Sequence, residues 1–452
     1  MNDVKTSLWK MAIPLIVSFW LRSLFTFVDT IYASFLGDEA IAAIGLAIPL
    51  EFGMIAIWVG LSTALTSYYA EAVGEYNERK LKQITQVALR VLSAVIPTFL
   101  GIGIGVYALA PRLELEAEVA RNFQIYGAVL IGGSALTGFW STIPDSIVKA
   151  FHDTKSTMIA GLCSNFTNLA FNTIFLFGFG WGIFGIAFST VLGRLAGLSY
   201  ALWRASSLRR SWQKNSSKYE RKTAILKRPL RKILALAFPA GLSHLLMIGE
   251  GIWINFLLSM QEDATAALAA YGIYFRIGAF ALTPIVATRV AFLPFVARHR
   301  SLGNLDLIYR NYLGAIWMGG IYALFVVWPL CHWGGESLMS YLTHSSLVIS
   351  QGTLGIRFVP WICLSWLPYQ FSKSLLEGFQ RAAPTLFMSL LRYVVLALPL
   401  TYLGVRWAKM WGYSSLFGVL CGLLVSTLLS SLFYFVWGMR FLSSENCQND
   451  SI

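Results

Sequence analysis

Asp29 is the ionisable side chain of this sequence that is best placed to do chemistry. It lies in a long apolar stretch, and no basic residue lies one helical turn away on either side, where the sequence has Phe25, Thr26, Tyr32 and Ala33. A desolvated carboxylate without a cation partner can load and release a proton near neutral pH, and oxygen ligands around it would equally suit Na⁺. The sequence therefore predicts a proton- or sodium-binding group at Asp29.

Polar partners for this carboxylate are available in two later apolar segments. Asn165, Asn168 and Asn172 are spaced so that they share one face of a helix. Thr190, in the following segment, adds a hydroxyl group. These side chains are candidate partners for a proton or Na⁺ bound at Asp29; the alternative is an aspartate that only satisfies the amides of a neighbouring helix.

Twelve further charged side chains interrupt the apolar stretches, and each is a functional candidate because charge inside a bilayer is costly. Arg90, Arg194 and Glu377 lie near the ends of predicted helices, where snorkelling to the interface explains them. The other nine are Arg22, Glu51, Asp145, Glu250, Arg276, Arg289, Arg357, Lys373 and Arg392.

Two of these charges occupy matching positions. Asp145 and Lys149 are four residues apart, and so are Lys373 and Glu377, 228 residues later. Asp145 could therefore face Lys373 and hold two halves of the protein together, or the two could line a substrate path. Two ion pairs, each local to its own helix, are the alternative.

Glu250 is a further candidate for the substrate path. We expect it to form a structural ion pair with Arg276 or Arg289, which follow it in the next predicted helix. Pro14, fifteen residues before Asp29, is a candidate for a bend in the first helix, although a proline near a helix start is ordinary.

The elements that carry these residues are membrane-spanning helices. Of the 452 residues, 56% are hydrophobic and 13% are charged, and the mean hydropathy is +0.62, which lies outside the usage of soluble domains. Solidly apolar runs, without alternation, exclude a transmembrane β-barrel. The five cysteines and five histidines show neither disulfide nor metal-ligand spacing, so we predict no metal site, no cofactor and no enzyme activity.

Polar breaks between the apolar runs predict an all-α fold of twelve transmembrane helices. Their ranges are 11–36, 41–70, 84–110, 122–150, 156–178, 181–204, 233–259, 265–297, 311–331, 346–378, 384–404 and 412–438. The predicted domains are a first six-helix lobe (1–204), a basic cytoplasmic loop (205–232), a second six-helix lobe (233–440) and a short tail (441–452).

The distribution of basic residues predicts the topology. The hydrophilic break at 203–232 holds eleven Lys and Arg residues and one acid, and basic loops resist translocation. Both termini should therefore be cytoplasmic, in a multi-pass protein of the plasma (cell inner) membrane. The net charge of +13 needs no nucleic-acid partner, because this loop would lie against anionic lipid headgroups.

The two sets of six helices resemble each other. An even number of spans makes the repeats parallel, related by an axis along the membrane normal, an arrangement used by transporters that rock two lobes about a central site. The matching stretches are Ile13-Pro14-Leu15 with Phe238-Pro239-Ala240, Ala150-Phe151 with Gly378-Phe379, and Trp181-Gly182 with Trp411-Gly412.

From about residue 8 to about residue 440 the sequence resembles the multidrug and toxic compound extrusion (MATE) transporters. The stretches that carry the resemblance are Phe27-Val28-Asp29-Thr30, Phe151-His152-Asp153-Thr154-Lys155, Ser164-Asn165, Phe238-Pro239-Ala240-Gly241-Leu242, Ala269-Ala270-Tyr271-Gly272-Ile273-Tyr274-Phe275-Arg276 and Gly303-Asn304.

The resemblance implies a V-shaped pair of six-helix lobes that exports small organic molecules in exchange for inward H⁺ or Na⁺. It also implies a cation site made of Asp29, Asn168, Asn172 and Thr190. The position of Asn172 is often an aspartate in relatives, and with one carboxylate here a protonation switch is favoured over tight Na⁺ binding.

The leading functional hypothesis is thus a cation-coupled antiporter that exports drugs or a secreted metabolite. A flippase for a lipid-linked saccharide or a related anionic amphiphile is the alternative, although such flippases usually carry fourteen helices. Eight intramembrane bases against five acids favour an anionic or zwitterionic substrate over the family's usual lipophilic cations. We expect a monomer whose partners are this substrate and membrane lipids.

Overall fold

The computed structural model describes residues 7–25, 28–216 and 224–450, and within these ranges it is built of helices without strands. Fifteen α-helices follow one another there: α1 Leu8–Phe25, α2 Val28–Ser34, α3 Asp38–Gly74, α4 Glu78–Leu109, α5 Ala117–Ala150, α6 Thr154–Thr173, α7 Gly182–Ser216, α8 Pro229–Ser259, α9 Ala264–Ser301, α10 Leu305–Tyr322, α11 Trp328–Leu342, α12 Ser346–Gly378, α13 Ala382–Leu390, α14 Ala397–Met410 and α15 Ser415–Asp450.

Several of these helices join into longer rods through π-helical turns. Ile174–Gly178 extends α6, Ala323–Val327 joins α10 to α11, and Leu391–Leu396 joins α13 to α14. With α1 and α2 counted together, the described residues form twelve long helical segments. Eleven of them are long and apolar enough to cross a membrane, and the remaining one, α5, is 34 residues long. The prediction of an all-α polytopic membrane protein is confirmed.

Three helices run further than the hydropathy pattern predicts. The expected ends at 204, 331 and 438 are wrong, because α7 continues to Ser216, the rod of α10 and α11 to Leu342, and α15 to Asp450. Apolar composition marks only the part of a helix that faces hydrocarbon. The extension of α7 packs beyond that part, where Trp212 is buried and stacks against the ring of Tyr76.

The chain divides into two compact units, Met1–Gly241 and Leu242–Ile452. The division falls inside α8 because the start of α8 packs tightly against α3 within the first unit. A Cβ atom on Gly60 would lie 2.4 Å from the carbonyl oxygen of Ala237, so only glycine fits there. Residues 217–223 of the predicted basic loop lie outside the described residues, and the assignment of 1–204, 205–232, 233–440 and 441–452 as domains stays a prediction.

Candidate functional site

Asp29 lies in the first turn of α2, and its carboxylate meets α6 and α7. Its Oδ1 atom accepts hydrogen bonds from Nδ2 of Asn172 at 3.0 Å and from Nδ2 of Asn168 at 3.4 Å. Its Oδ2 atom accepts one from Oγ1 of Thr190 at 2.8 Å. The structure thus brings together all four residues of the predicted cation-coupling site.

Close packing between α6 and α7 positions the donors. Added Cβ atoms would lie 2.6 Å from the Ser164 carbonyl oxygen at Gly193 and 2.9 Å from the Ala160 carbonyl oxygen at Gly197. These two glycines are four residues apart on one face of α7, the spacing that lets helices approach closely in membranes. Thr190, one turn before Gly193, is thereby held within reach of Asn168, whose Nδ2 lies 3.0 Å from its Oγ1.

Ser189 is a member of this network that the sequence analysis missed. Its hydroxyl donates to Oδ1 of Asn172 at 2.6 Å and accepts from Nδ2 of Asn168 at 3.3 Å. Asn172 and Ser189 are fully buried. The signal was available, because Ser189 precedes Thr190 directly and Gly193 and Gly197 follow at helix-packing spacing.

The network surrounds one carboxylate with neutral hydrogen-bond donors. In the described part of the chain no basic side chain forms an ion pair with Asp29. Burial favours the protonated form of a carboxyl group, while donated hydrogen bonds favour the ionised form. A carboxylate held between these opposing influences is chemically suited to exchange a proton.

A second set of charges in the first unit is paired. Arg194 donates from Nη2 to Oε1 of Glu51 at 2.5 Å, and Lys149 donates from Nζ to Oδ2 of Asp145 at 2.5 Å. The guanidinium of Arg22 lies 5.9 Å from the ring centre of Trp58. The interpretation of Arg194 as a snorkelling residue is wrong, because the carboxylate of Glu51 neutralises it within the helical bundle.

The charges of the second unit pair differently from the prediction. Glu250 was expected to bind Arg276 or Arg289, and this is wrong: its Oε1 atom accepts from Nη1 of Arg392 at 2.5 Å. The two side chains are only 11% and 4% exposed. Arg392 is recognisable in the sequence as an intramembrane base, but it lies 142 residues from Glu250, and no local sequence signal connects two helices that far apart.

Arg289 instead forms an ion pair with Glu377. Its Nη2 atom donates to Oε2 of Glu377 at 2.9 Å, and Nζ of Lys373 lies 4.0 Å from Oε1 of the same carboxylate. Glu377 is fully buried, so the snorkelling interpretation is wrong for it too. Its buried carboxylate lies between two cations, and this attraction offsets part of the cost of burying the charges.

The remaining candidates have no ion-pair partner on another helix among the described residues. Arg276 is exposed on α9 and forms no ion pair among the described residues, and Pro14 lies inside α1, whose described residues form one helix from Leu8 to Phe25. Asp145 and Lys373 each have a partner four residues away on their own helix. Their proposed role between the two halves, and the bend at Pro14, stay predictions.

Comparisons with known proteins agree with the predicted repeat. The family model MatE matches residues 14–174 and again residues 239–403. The chain is 23% identical to "Multidrug export protein MepA" of Staphylococcus saprophyticus, over 95% of this chain and 92% of that protein. It is 22% identical to "FAD transporter" of Shewanella oneidensis, over 88% and 87%.

Solved structures show the same fold. A crystal structure described as MATE in the bent conformation superposes with a TM-score of 0.85 at 19% identity, covering 99% of this chain and 97% of the other. At this identity the likeness concerns the fold alone. The two matched segments together cover most of the chain, and their starts are 225 residues apart.

Proposed function

Because the chain belongs to the MatE family of transporters, we propose that it is an antiporter that exports small organic compounds in exchange for protons bound at Asp29. The observation that carries the proposal is the carboxylate of Asp29, which accepts three hydrogen bonds from neutral side chains inside a membrane-spanning bundle and forms no ion pair with any described residue. Alternating access of two lobes, with both termini in the cytoplasm, is part of the same proposal.

The orientation of the amides supports a proton over Na⁺. Na⁺ needs several oxygen ligands, but Asn168 and Asn172 turn their NH₂ groups toward Asp29. Their carbonyl oxygens are used elsewhere in the network, where Asn172 accepts from Ser189 and Asn168 accepts from Asn172. A proton on Asp29 requires no such ligand set, because it adds a covalent O–H bond to the carboxylate.

Transport in proteoliposomes tests the coupling. We expect an imposed pH gradient to drive export by the wild type, and we expect Asp29→Asn to abolish that export, because the amide keeps the shape of the side chain but cannot be protonated and released. Asp38→Asn, at an exposed carboxylate at the start of α3, is the matched control and should transport normally.

Two outcomes would contradict the proposal. Full activity in Asp29→Asn would exclude this carboxylate as the coupling group. Transport that responds to a Na⁺ gradient at fixed pH, and not to the pH gradient, would replace the proton by Na⁺.

For the substrate we propose an organic anion or zwitterion. Arg276 is an exposed cation within a membrane-spanning helix. One relative carries the name "FAD transporter", and FAD is an anionic compound. A cation exposed on a substrate path attracts anions. Uptake of an anionic dye and of a cationic dye into inverted vesicles tests this, and competitive transport of the cation alone would overturn it.

A further inference from the structure

An apolar crevice opens on the second unit between α10, α12 and α15. Its volume is about 370 Å³, within the range of small-molecule sites. The crevice is open along one side, where the side chains of Trp361 and Leu432 are 48% and 62% exposed. The lining includes Ile316, Trp361, Leu364, Pro368, Leu428 and Leu432.

The crevice offers an occupant no free side-chain hydrogen-bonding group other than the indole N–H of half-exposed Trp361. Its two serines already use their hydroxyls, since Ser431 donates to the carbonyl oxygen of Ser365 at 2.5 Å and Ser365 donates to that of Ile362 at 2.9 Å. A drug-like ligand normally needs a few polar contacts to fix its orientation. The part of a ligand that lies in this crevice must therefore be mainly hydrocarbon.

Arg357 stands at one end of the same face of α12. Residues 357, 361, 364 and 368 follow helical spacing, so Arg357 lies one turn before Trp361 on the crevice side of the helix. Its side chain is exposed, and it is not among the arginines that pair with a carboxylate in the described part of the chain. An unpaired cation next to an apolar crevice favours a ligand that carries an anionic group on a hydrocarbon chain.

The depth of Arg357 in the membrane suits a lipid headgroup. α12 has 33 residues and is about 50 Å long, so a hydrocarbon core of about 30 Å leaves about 10 Å of helix on each side. Arg357 is eleven residues from Ser346, about 16 Å along the axis and hence about 6 Å inside the core. Its side chain leans toward the N-terminal end of α12 and can reach the headgroups there.

We propose that this crevice is a binding site for an anionic phospholipid, with one acyl chain between α10, α12 and α15 and the phosphate at the guanidinium of Arg357. The acyl chain runs from the headgroup level to the middle of the bilayer, where Leu364 lines the crevice. The site is separate from Asp29 and does not depend on the coupling mechanism.

Lipid titration of the purified full-length protein tests the proposal by native mass spectrometry. The probes are phosphatidylglycerol and phosphatidylcholine with the same acyl chains, and inorganic phosphate alone. We expect the wild type to prefer phosphatidylglycerol roughly fivefold, because one cation near the membrane surface changes the affinity for an anionic lipid by about that factor. Arg357→Gln should lose that preference, while Arg90→Gln, at an exposed arginine of α4, should keep it.

A second pair of variants tests the acyl-chain part of the site. Leu428→Trp fills the crevice and should abolish tight binding of both lipids, whereas Leu429→Trp, on the neighbouring exposed position that does not line it, should not. Size-exclusion profiles show whether each variant is folded. The proposal is overturned if Arg357→Gln retains the preference, if the two tryptophan variants behave alike, or if inorganic phosphate competes with the lipid.

Discussion

The two units use the same kind of helix contact for different chemistry. In the first unit, α2 meets α6 and α7 through Asp29 and neutral amide and hydroxyl groups. In the second unit, α8 meets the segment of α13 and α14 through the ion pair of Glu250 and Arg392. The first arrangement holds a carboxylate that can change its charge. The second holds a carboxylate whose counter-ion is a permanent part of the chain, since an arginine does not lose its proton in proteins.

The second repeat carries apolar residues at the positions that match Asp29, Ser189 and Thr190. The two matched segments start 225 residues apart, and the residue 225 positions after Asp29 is Ile254. Counting by the spacing of the two Trp-Gly pairs, the counterparts of Ser189 and Thr190 are Val419 and Leu420. These three apolar side chains are buried. At these positions the first repeat holds a carboxylate and its hydrogen-bond donors, and the second repeat holds apolar residues of the core.

The largest effect should come from breaking the fixed pair of the second unit. Arg392→Gln leaves the carboxylate of Glu250 buried without its cation, and we expect a loss of about 3–5 kcal/mol in stability. Thermal unfolding in detergent measures it. The double variant Glu250→Leu with Arg392→Leu should recover most of the loss, because it removes both charges. A single variant as stable as the wild type would show that Glu250 is not held by Arg392.

A smaller effect should follow from removing one polar partner of Asp29 in the first unit. Asn172→Leu removes a hydrogen bond to the carboxylate of Asp29, at a cost of about 1.5–3 kcal/mol, while the hydroxyl of Ser189 keeps the carbonyl oxygen of Ile186 as its acceptor. We expect proton-driven transport in proteoliposomes to fall by about 10- to 100-fold. Asn165→Leu, on the same helix, is the control and should transport normally. Equal activity of the two variants would separate Asn172 from coupling.

The smallest effect should come from an exposed ion pair of the second unit. Nζ of Lys409 donates to Oε1 of Glu262 at 2.6 Å, and this hydrogen bond together with the positive charge lowers the pKa of Glu262. A lowered pKa in the folded state stabilises it at neutral pH, and this contribution is lost as the pH falls through that pKa.

Lys409→Gln should therefore lower the melting temperature slightly at neutral pH and low salt. The difference from the wild type should vanish at high salt and at a pH low enough to protonate Glu262, because exposed pairs are screened. A difference that persists under both conditions would mean that Lys409 contributes through packing and not through charge.

Much of the fold could be predicted because each long helix must present apolar residues to hydrocarbon. The helical turns beyond 204 and 438 could not be predicted in this way. Turns such as the one that carries Trp212 pack against other parts of the protein and lie outside the apolar stretch. Asp29 and its partners on α6 could be found because a carboxylate and spaced asparagines stand out in apolar sequence. The pairing of Glu250 with Arg392 could not, because eight intramembrane bases offered several equal choices and only the packing of α8 selects one.

The π-helical turn Leu391–Leu396 decides which face the end of its helix presents to α8. One extra residue in an α-helix would turn every later side chain by about 100°. A π-helical turn is wider and absorbs such a residue, so the helix continues without a break from α13 into α14. Thr401, beyond this turn, points toward α8, where its hydroxyl accepts from Nε1 of Trp253 at 3.1 Å.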